Sequence, residues 1–244
     1  MVRSDDSSGL EFVVNALGQR VGVAVADWQR PPRPPRTTMT GRTCSVVPLD
    51  VARHADDLFA SNALDADGRG WTYLPYGPFP DRTAYLEWMQ ATCLGDDPLF
   101  HAIVDIESGR AVGLASYLRI DRAAGSIEVG HLRFSPTLQR SIASTEAMYL
   151  MMKRAFDLGY RRYEWKCDAL NEPSRAAAER LGFTFEGVFR QAVVVKGRNR
   201  DTAWYSILDS EWPRLDGAFR RWLDPANFAA DGKQKERLSA LSAR

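Results

Sequence analysis

The chain has 244 residues, of which 45% are hydrophobic and 26% are charged, a composition typical of soluble globular proteins. Lys and Arg total 32 against 31 Asp and Glu, and the resulting formal net charge of +1 argues against a nucleic-acid partner held by a broad phosphate-neutralising surface. No stretch approaches the roughly 20 apolar residues that span a bilayer, and the first residues lack the pattern of a signal peptide. These features predict a cytoplasmic protein with no nucleic-acid partner and no membrane partner.

The cysteines, Cys44, Cys93 and Cys167, are far apart in the sequence. None lies in a CxxC pair or at a Cys/His spacing typical of zinc sites, so no metal site is expected. A low, odd count in a chain of this length is typical of free thiols in a reducing compartment.

The N-terminal segment, residues 1–37, is predicted to be a proline-rich arm. The run from Arg30 to Arg36 contains four prolines, which exclude a helix or a central strand because proline lacks the N–H and holds φ at about −65°. An extended arm lying over the following domain is the favoured interpretation. A PxxP ligand for a partner protein is the alternative.

From residue 38 onward the hydrophobic pattern becomes regular, and each element can be predicted in turn. In chain order the pattern predicts a strand over Thr43–Val47, a helix capped by Asp50, a glycine- and aromatic-rich loop over Gly68–Pro80, a helix over Arg82–Thr92, strands over Phe100–Ile106, Ala111–Ile120 and Ser126–Phe134, a helix over 140–158, a strand over Arg161–Cys167, a helix from Asn171 to Gly182, and a hairpin of Phe183–Val195 and Thr202–Leu208. This order predicts a mixed α+β fold with a central, mostly antiparallel sheet and flanking helices. Amphipathic segments within residues 213–244 predict a C-terminal helical tail.

The third of the antiparallel strands changes its apolar face halfway along. Ile127 and Val129 share one parity, whereas Leu132 and Phe134 share the other. A strand has a period of two, so a β-bulge near His131, which would splay the strand from its neighbour, explains the change. A strand buried on both faces is the alternative. In Arg161–Cys167, by contrast, strict alternation predicts a strand with one buried face that contains Trp165.

The segment Leu138–Ala147 joins the bulged strand to the longest helix. A helix N-terminus offers unpaired N–H groups and the positive end of the helix dipole, so it can hold an anion such as a pyrophosphate. Arg140 adds a positive charge there, and the small residues Ser141, Ala143 and Ser144 allow a ligand to approach the backbone closely.

Four segments resemble motifs of the GNAT acetyltransferases, in the order and on the elements of that family. Ser126–Ala147 is similar to its motif A, in which a Q/R-x-x-G-x-G/A loop holds the pyrophosphate of acetyl-CoA, and its Thr145-Glu146-Ala147 ending resembles the RimJ/RimL branch. The other three segments are Asn171–Ser174 with Leu181–Phe183 (N-x-x-S…GF), Phe185–Arg190, and Arg200–Leu208. The resemblance covers a domain of residues 38–212. One departure is Ile142, which stands where the family loop has its central glycine.

The resemblance implies a GNAT fold with a splayed strand pair and an N-acetyltransferase that moves an acetyl group from acetyl-CoA to a primary amine of a small molecule or a protein N-terminus. The amine would attack the thioester directly in a ternary complex, with the strand backbone polarising the acetyl carbonyl. The residues that would bind the cofactor are Leu132, Phe134, Gln139, Arg140, Ser141, Ile142, Ala143, Ser144, Thr145, Asn171 and Arg175.

The resemblance also places three candidate catalytic residues. Glu128 and His131 are candidate bases for the amine, directly or through water, and Ser174 would protonate the leaving thiolate. Many relatives have a tyrosine acid at the place of Ala178, which leaves this role to Ser174 or to no residue. Each candidate has a structural alternative. Glu128 could be an exposed strand carboxylate, His131 a hydrogen-bonded structural histidine, and Ser174 a serine bonded to the backbone of the first helical turn. Asn171 could likewise be a helix cap.

The aromatic loop, defined here as residues 68–80, is a candidate wall of the acceptor pocket. Its rings Trp71, Tyr73, Tyr76 and Phe79 could line a pocket or a cation site. A surface loop anchored on the core is the alternative.

Two other functions remain open from the sequence. Cys167 could be a nucleophile with His131 and Asp168, although its strand position beside Trp165 favours an inert, buried thiol. A non-catalytic acyl-CoA-binding protein on the GNAT fold is an alternative from another class. A homodimer is an expectation from the family, with the proline-rich arm and the C-terminal tail as candidate contacts.

Overall fold

The computed structural model describes residues 3–4 and 11–243, and the chain divides into two compact units, residues 1–30 and 31–244. The N-terminal unit contains a three-stranded antiparallel sheet, which the sequence did not predict. Its strands are β1 (Arg3–Ser4), β2 (Glu11–Val14) and β3 (Arg20–Gly22). Residues 1–2 and 5–10 of the predicted arm lie outside the described residues. The predicted domain boundaries after residues 37 and 212 stay predictions.

The larger unit contains the predicted α+β arrangement. Its strands are β4 (Met39–Thr40), β5 (Cys44–Pro48), β6 (Leu99–Asp105), β7 (Ala111–Asp121), β8 (Ser126–Phe134), β9 (Arg162–Asp168), β10 (Thr184–Val195) and β11 (Arg198–Leu208). Its helices are α1 (Val51–Asn62), α2 (Arg82–Thr92), α3 (Ile142–Asp157), α4 (Glu172–Arg180), α5 (Trp212–Leu223) and α6 (Leu238–Leu241), with short 3-10 helices at Arg69–Trp71 and Pro225–Asn227. The element order predicted from the sequence is confirmed. The last amphipathic segment forms only the four-residue helix α6.

The eight strands of this unit form one sheet in the order β10-β11-β9-β8-β7-β6-β5-β4. All neighbouring pairs are antiparallel except β8 and β9, which are parallel and pair only from Ser126 with Arg162 to Val129 with Trp165. Beyond this point the residue-by-residue pairing of the two strands ends. The sheet is therefore mostly antiparallel, with the splayed strand pair that the sequence indicated.

Each face of this sheet is covered by helices and has its own apolar cluster. On one face, α3 and α5 pack with side chains such as Ile127, Val129 and Trp165. On the other face, α1 and α2 pack with Trp71 and Phe100. The row of small and apolar residues predicted for α3 is buried, as its pattern indicates: Ala143, Ala147, Met151 and Ala155 are all at most 8% exposed.

Local chemistry explains where the helices begin. The side chain of Asp50 accepts a hydrogen bond from the N–H of Arg53, and the side chain of Asp81 accepts one from the N–H of Ala84. These caps satisfy first-turn donors that have no partner inside the helix. The helix over Arg82–Thr92 has the predicted bounds.

The proline-rich segment from residue 31 contacts the larger unit, to which it belongs. Pro31 and Pro34 are buried. Arg122 donates to the carbonyl oxygen of Pro31, and the Tyr160 hydroxyl donates to that of Pro32. These contacts hold the segment in an irregular, extended path.

Candidate active site

A bulge in β8 places Glu128 and His131 on one face of the sheet and Leu132 and Phe134 on the other. Ser116 pairs with Gly130 but Leu114 pairs with Arg133, so β8 has one extra residue there, and His131 has a positive φ of 52°. Ile127 and Val129 before the bulge, and Leu132 and Phe134 after it, all pack against the cluster under α3. The bulge predicted from the change of parity is confirmed, and the part of β8 before it is also buried on both faces.

The bulge and the splay together leave backbone groups outside the regular ladders. Between Gly130 and Arg133 the pairing with β7 is interrupted at His131 and Leu132, and these residues have no partners in β9. Strand groups in this position can pair with a ligand that enters between β8 and β9. This gap is the place where the sequence predicted the cofactor arm to bind.

The face of β8 and β9 towards α1 and α2 contains a network of buried charges. We call Glu128, Glu164 and Lys166, together with Trp204 beside them, the charged face. The ammonium of Lys166 is 2.8 Å from a carboxylate oxygen of Glu128 and 2.8 Å from one of Glu164. Its side chain is 8% exposed, and that of Glu128 is 4% exposed. This corrects the prediction that β9 has only one buried face, because the alternating charged residues are buried in ion pairs.

Further arginines complete the network. Nη1 of Arg119 lies 2.7 Å from both carboxylate oxygens of Glu128. Arg119 has a positive φ of 47°, and the Asp97 carboxylate accepts hydrogen bonds from the N–H groups of Arg119 and Ile120. On the other side, Arg162 bridges Glu164 and Glu186. Glu128 is therefore neither exposed nor unpaired.

His131 is held by aromatic residues. Its Nδ1 lies 3.1 Å from the hydroxyl of Tyr76, whose ring stacks on the imidazole at 5.7 Å, and the ring of Phe100 lies 5.1 Å away. Burial, assisted by the charge of Arg119, lowers the pKa of His131 to about 4. The imidazole is thus neutral at pH 7 and a weak base.

An ion pair that the sequence did not reveal joins β8 to Asp65, just before the aromatic loop, and places Arg133 against that loop. The Arg133 guanidinium lies 3.0 Å from the Asp65 carboxylate, and both side chains are less than 10% exposed. Arg133 also lies over the ring of Trp71, at 4.5 Å from its centroid. A Cβ at Gly70 would lie 2.6 Å from Nη1 of Arg133, so only glycine allows this approach.

Three of the four predicted loop aromatics anchor the loop. Trp71, Tyr76 and Phe79 pack in the cluster under α1 and α2, as the structural alternative described. Tyr76 contacts His131, and the Tyr73 hydroxyl donates to the carbonyl of Leu170 between β9 and α4. The β10–β11 hairpin also contacts this loop, since the Lys196 ammonium donates to the carbonyls of Trp71 and Gly77.

The N-terminus of α3 has the arrangement expected of an anion site. Ser141 is its N-cap and accepts a hydrogen bond from the N–H of Ser144. Arg140, which has a positive φ of 59°, makes no ion pair with any residue in 11–243. Ile142 is the first helical residue, and its side chain packs against the core. The other predicted loop residues have protein partners: Gln139 donates to the carbonyl of Phe134, and Thr145 accepts from Arg180.

The N-terminus of α4 lies next to β9 and contains the other cofactor candidates. Asn171 caps the helix by accepting from the N–H of Ser174, as its structural alternative predicted. The Ser174 hydroxyl oxygen accepts from the indole N–H of Trp165 at 3.0 Å, so its own proton is available for another acceptor. Arg175 donates to the Tyr205 hydroxyl and to the carbonyl of Ala169.

The thiols and the remaining residues add no second reaction centre. Cys44, Cys93 and Cys167 are buried and unpaired, and burial raises the pKa of Cys167, which makes this thiol a poor nucleophile. His131, its suggested partner, is bonded to Tyr76 instead. Among residues 11–243, no group of three potential ligands could hold a metal ion, and no helix is long and apolar enough to cross a membrane.

Sequence reasoning missed the cations of this site: Arg119, Arg133, Lys166, Lys196 and Arg200. Arg133 did leave a sign in the sequence, because it is a charged residue between the apolar Leu132 and Phe134, where an unpaired charge is costly. Lys166 left none, because it is one of the alternating charged residues of β9. Their partners lie on other elements, and no spacing rule identifies them.

Comparisons with known proteins agree with this architecture. The model of the acetyltransferase (GNAT) domain family matches residues 46–184, more than half of the chain. A GCN5-related N-acetyltransferase structure from Brucella melitensis is 46% identical with a TM-score of 0.87, and the match covers 89% of this chain and 99% of that one. A GNAT-family structure from Chromobacterium violaceum ATCC 12472 is 44% identical with a TM-score of 0.74, over 79% of this chain and 96% of that one. The curated "Putative ribosomal N-acetyltransferase YdaF" of Bacillus subtilis (strain 168) is 29% identical over 154 residues, 63% of this chain and 76% of that protein. The chain therefore belongs to the GNAT acetyltransferase family and is an acyltransferase.

Proposed function

We propose that this protein transfers an acetyl group from acetyl-CoA to a primary amine by direct attack in a ternary complex. The opening between β8 and β9 carries the proposal. The strands stop pairing after Val129 and Trp165, and the bulge at His131 and Leu132 frees backbone groups at the same level. The pantetheine arm has amide groups that suit such strand edges, and the family supplies the acetyl donor.

The residues around the N-terminus of α3 fit the pyrophosphate. The first-turn N–H groups and the unpaired Arg140 offer positive charge for an anion. Ile142 replaces the family's glycine at a helical position with its side chain towards the core, which is compatible with a phosphate on the outer side. The cofactor-binding set in this proposal is Leu132, Phe134, Gln139, Arg140, Ser141, Ile142, Ala143, Ser144, Thr145, Asn171 and Arg175.

Proton transfers assign the catalytic roles. The amine forms a bond to the thioester carbon and loses a proton, while the carbon–sulfur bond breaks and the thiolate gains one. Ser174 is the proposed proton donor to the thiolate, since its own proton is not needed for the bond with Trp165. Glu128 is the proposed acceptor of the amine proton through water, with its carboxylate fixed in place by Arg119 and Lys166. His131 positions Tyr76, which with Tyr73 would line the acceptor pocket.

The acceptor class, the compartment and the oligomeric state belong to the same proposal. The curated name of YdaF favours a protein amine of the ribosome, in line with the RimJ/RimL-like motifs. The three unpaired thiols favour a cytoplasmic location. The edge strand β10 exposes Phe189 (56%) and Val194 (76%), which favours a homodimer, and sedimentation equilibrium would test it.

Calorimetric titration with acetyl-CoA tests the donor site. We expect micromolar binding to the wild type, about tenfold weaker binding to Arg140→Gln, and recovery in Arg140→Lys, which restores the charge. Arg53→Gln, which removes an exposed charge on α1, is the matched control and should bind like the wild type. No binding to the wild type would contradict the proposal. Binding without release of CoA on any amine would favour a non-catalytic acyl-CoA-binding protein.

A further inference from the structure

Strand β11 has two buried side-chain donors that lack an acceptor within the part of the chain that the structure describes. They are Nε of Arg200 and Nε1 of Trp204. No described carboxylate lies within ion-pair distance of the Arg200 guanidinium, although this group is always charged. A partly buried cation without a counter-charge reduces stability, so a ligand that supplies the charge would bind favourably.

The register of the sheet places these donors on the face that contains Glu128. β11 pairs with β9 without irregularity, Trp204 opposite Lys166, and the bulge near this point lies in β10. Alternate residues of a strand share a face, so Arg200 lies on the side of Trp204. The Lys166 ammonium lies 3.7 Å from the centroid of the Trp204 ring. Arg200 therefore belongs to the outer part of the charged face.

We call the region around Glu128 and Glu164 the inner part of the charged face, and the region of Lys196 and Arg200 its outer part. The cations of the two parts differ in their partners. Arg119, Lys166 and Arg162 each pair with a glutamate. At the outer part, Lys196 donates only to two carbonyl oxygens, and Arg200 has no partner among residues 11–243.

Among residues 11–243, neither Asp168 nor Asp201 forms an ion pair with Arg200 or Lys196. One oxygen of Asp201 accepts from the N–H of Gln191 and from the Asn199 amide, and one oxygen of Asp168 accepts from the N–H of Leu170. Each inner cation is thus paired with a glutamate, whereas Lys196 and Arg200 have no carboxylate within ion-pair distance among residues 11–243.

We infer that the acetyl acceptor is an amine with a carboxylate or phosphate group that binds Arg200; this rests on the proposed transferase function. Arg200 lies four residues along β11 from Trp204, which is about 13 Å. The anion is therefore remote from the reacting amine, as in a peptide with acidic residues after its first residue. Lys196 contributes to the same site, and the free indole N–H of Trp204 donates to the acceptor between its two ends. Polycationic amines are disfavoured by the same charges.

The test compares matched peptides as acceptors. The probes are Ala-Glu-Glu-Ala amide, Ala-Gln-Gln-Ala amide and Ala-Ser-phosphoserine-Ala amide, with CoA release as the readout. The wild type should prefer an anionic peptide over the amide peptide by at least tenfold in kcat/KM, and the comparison of glutamate with phosphoserine identifies the anion. In Arg200→Gln the preference should fall below about twofold. Arg53→Gln, which removes an exposed charge elsewhere, should keep it.

Binding provides a second readout that does not depend on turnover. Calorimetry of the peptides with the CoA-loaded protein should show at least tenfold tighter binding of the anionic peptide, lost in Arg200→Gln. Equal binding or equal turnover of the peptides by the wild type would refute the inference, as would the absence of binding by every peptide. So would an Arg200→Gln variant that loses affinity for acetyl-CoA but keeps the peptide preference. Failure of the transferase proposal is distinguishable, since it would abolish CoA release with every amine.

Discussion

The two faces of strand β9 are both buried but are stabilised by different interactions. Tyr163, Trp165 and Cys167 point into the apolar cluster under α3, whereas Glu164 and Lys166 lie on the charged face with Glu128. On the apolar face, removal of each side chain from water is itself favourable. On the charged face, desolvation of the ions costs about as much as their attraction returns. The second face therefore contributes little net stability, and in the proposed function it lies where the acceptor would bind.

The comparison is tested most strongly by Lys166→Met, which keeps the size of the side chain and removes its charge. Glu128 and Glu164 would then be buried with fewer counter-charges, and we expect a loss of about 3–5 kcal/mol in the free energy of unfolding, measured with urea at pH 7. The loss should shrink towards pH 5, because protonation relieves the uncompensated carboxylates.

A double variant separates the charge from the packing. Glu128→Gln with Lys166→Met removes one negative and one positive charge together, and it should recover at least half of the lost stability. If the double variant is as unstable as the single one, packing of the Lys166 stem on Trp204 is the dominant interaction instead.

Each face of the sheet contains a buried histidine, so the two faces can also be compared by the pH dependence of stability. Burial lowers the pKa of His101, on the α3 side beside Tyr117, to about 4, and the pKa of His131 on the opposite face is also lowered to about 4. An unfolded chain titrates these groups near 6.5, so stability is complete above pH 6.5 and falls as pH decreases towards 4. Each histidine accounts for about 3 kcal/mol over that range.

The slope of unfolding free energy against pH between 6 and 5 measures this effect. This slope gives the number of protons that the protein takes up when it unfolds. The wild type should take up at least two protons, and His131→Gln should take up about one fewer. His54, whose pKa burial also lowers, adds to the slope in both proteins. An unchanged slope in His131→Gln would show that this imidazole is already protonated in the folded protein.

The sequence predicted the fold because the relevant signals are local. The parity change between Val129 and Leu132 located the bulge, and the capping residue Asp81 with its apolar periodicity located α2. Strict alternation in β9 predicted one exposed face and was wrong, because burial of Lys166 depends on glutamates 38 and two residues away in the chain.

The candidate site was predictable only where its residues lie in family motifs. Ser174 and Arg140 follow from those motifs, and their roles stay predictions. Arg133 pairs with Asp65, 68 residues earlier, and no local pattern predicts such a pair. Arg200 was included in a motif but its missing partner is visible only in three dimensions.

A smaller effect is expected on the apolar face at Ser174. Ser174→Ala removes the proposed proton donor but keeps the helix cap, which is formed by Asn171 and the backbone N–H of residue 174. We expect kcat to fall 10- to 100-fold with the KM for acetyl-CoA within twofold, and unfolding free energy to change by about 1 kcal/mol through the lost acceptor for Trp165. Trp165→Phe is the control, because it breaks the same hydrogen bond and keeps the hydroxyl. If both variants lose kcat equally, Ser174 acts by position and not as an acid.

The smallest effect is expected at Cys167, two residues beyond Trp165 on the same face of β9. The residue is 5% exposed, and burial raises the pKa of its thiol, so the reactive thiolate is scarce at neutral pH. Cys167→Ala should therefore keep kcat/KM within about threefold and cost about 1 kcal/mol of stability for the lost sulfur contacts. A covalent mechanism would instead require this variant to be inactive and the wild type to release CoA in a burst without any amine. Rapid-quench measurement of CoA release in the absence of acceptor decides between the two, because attack by the amine itself can produce no CoA until the acceptor is present.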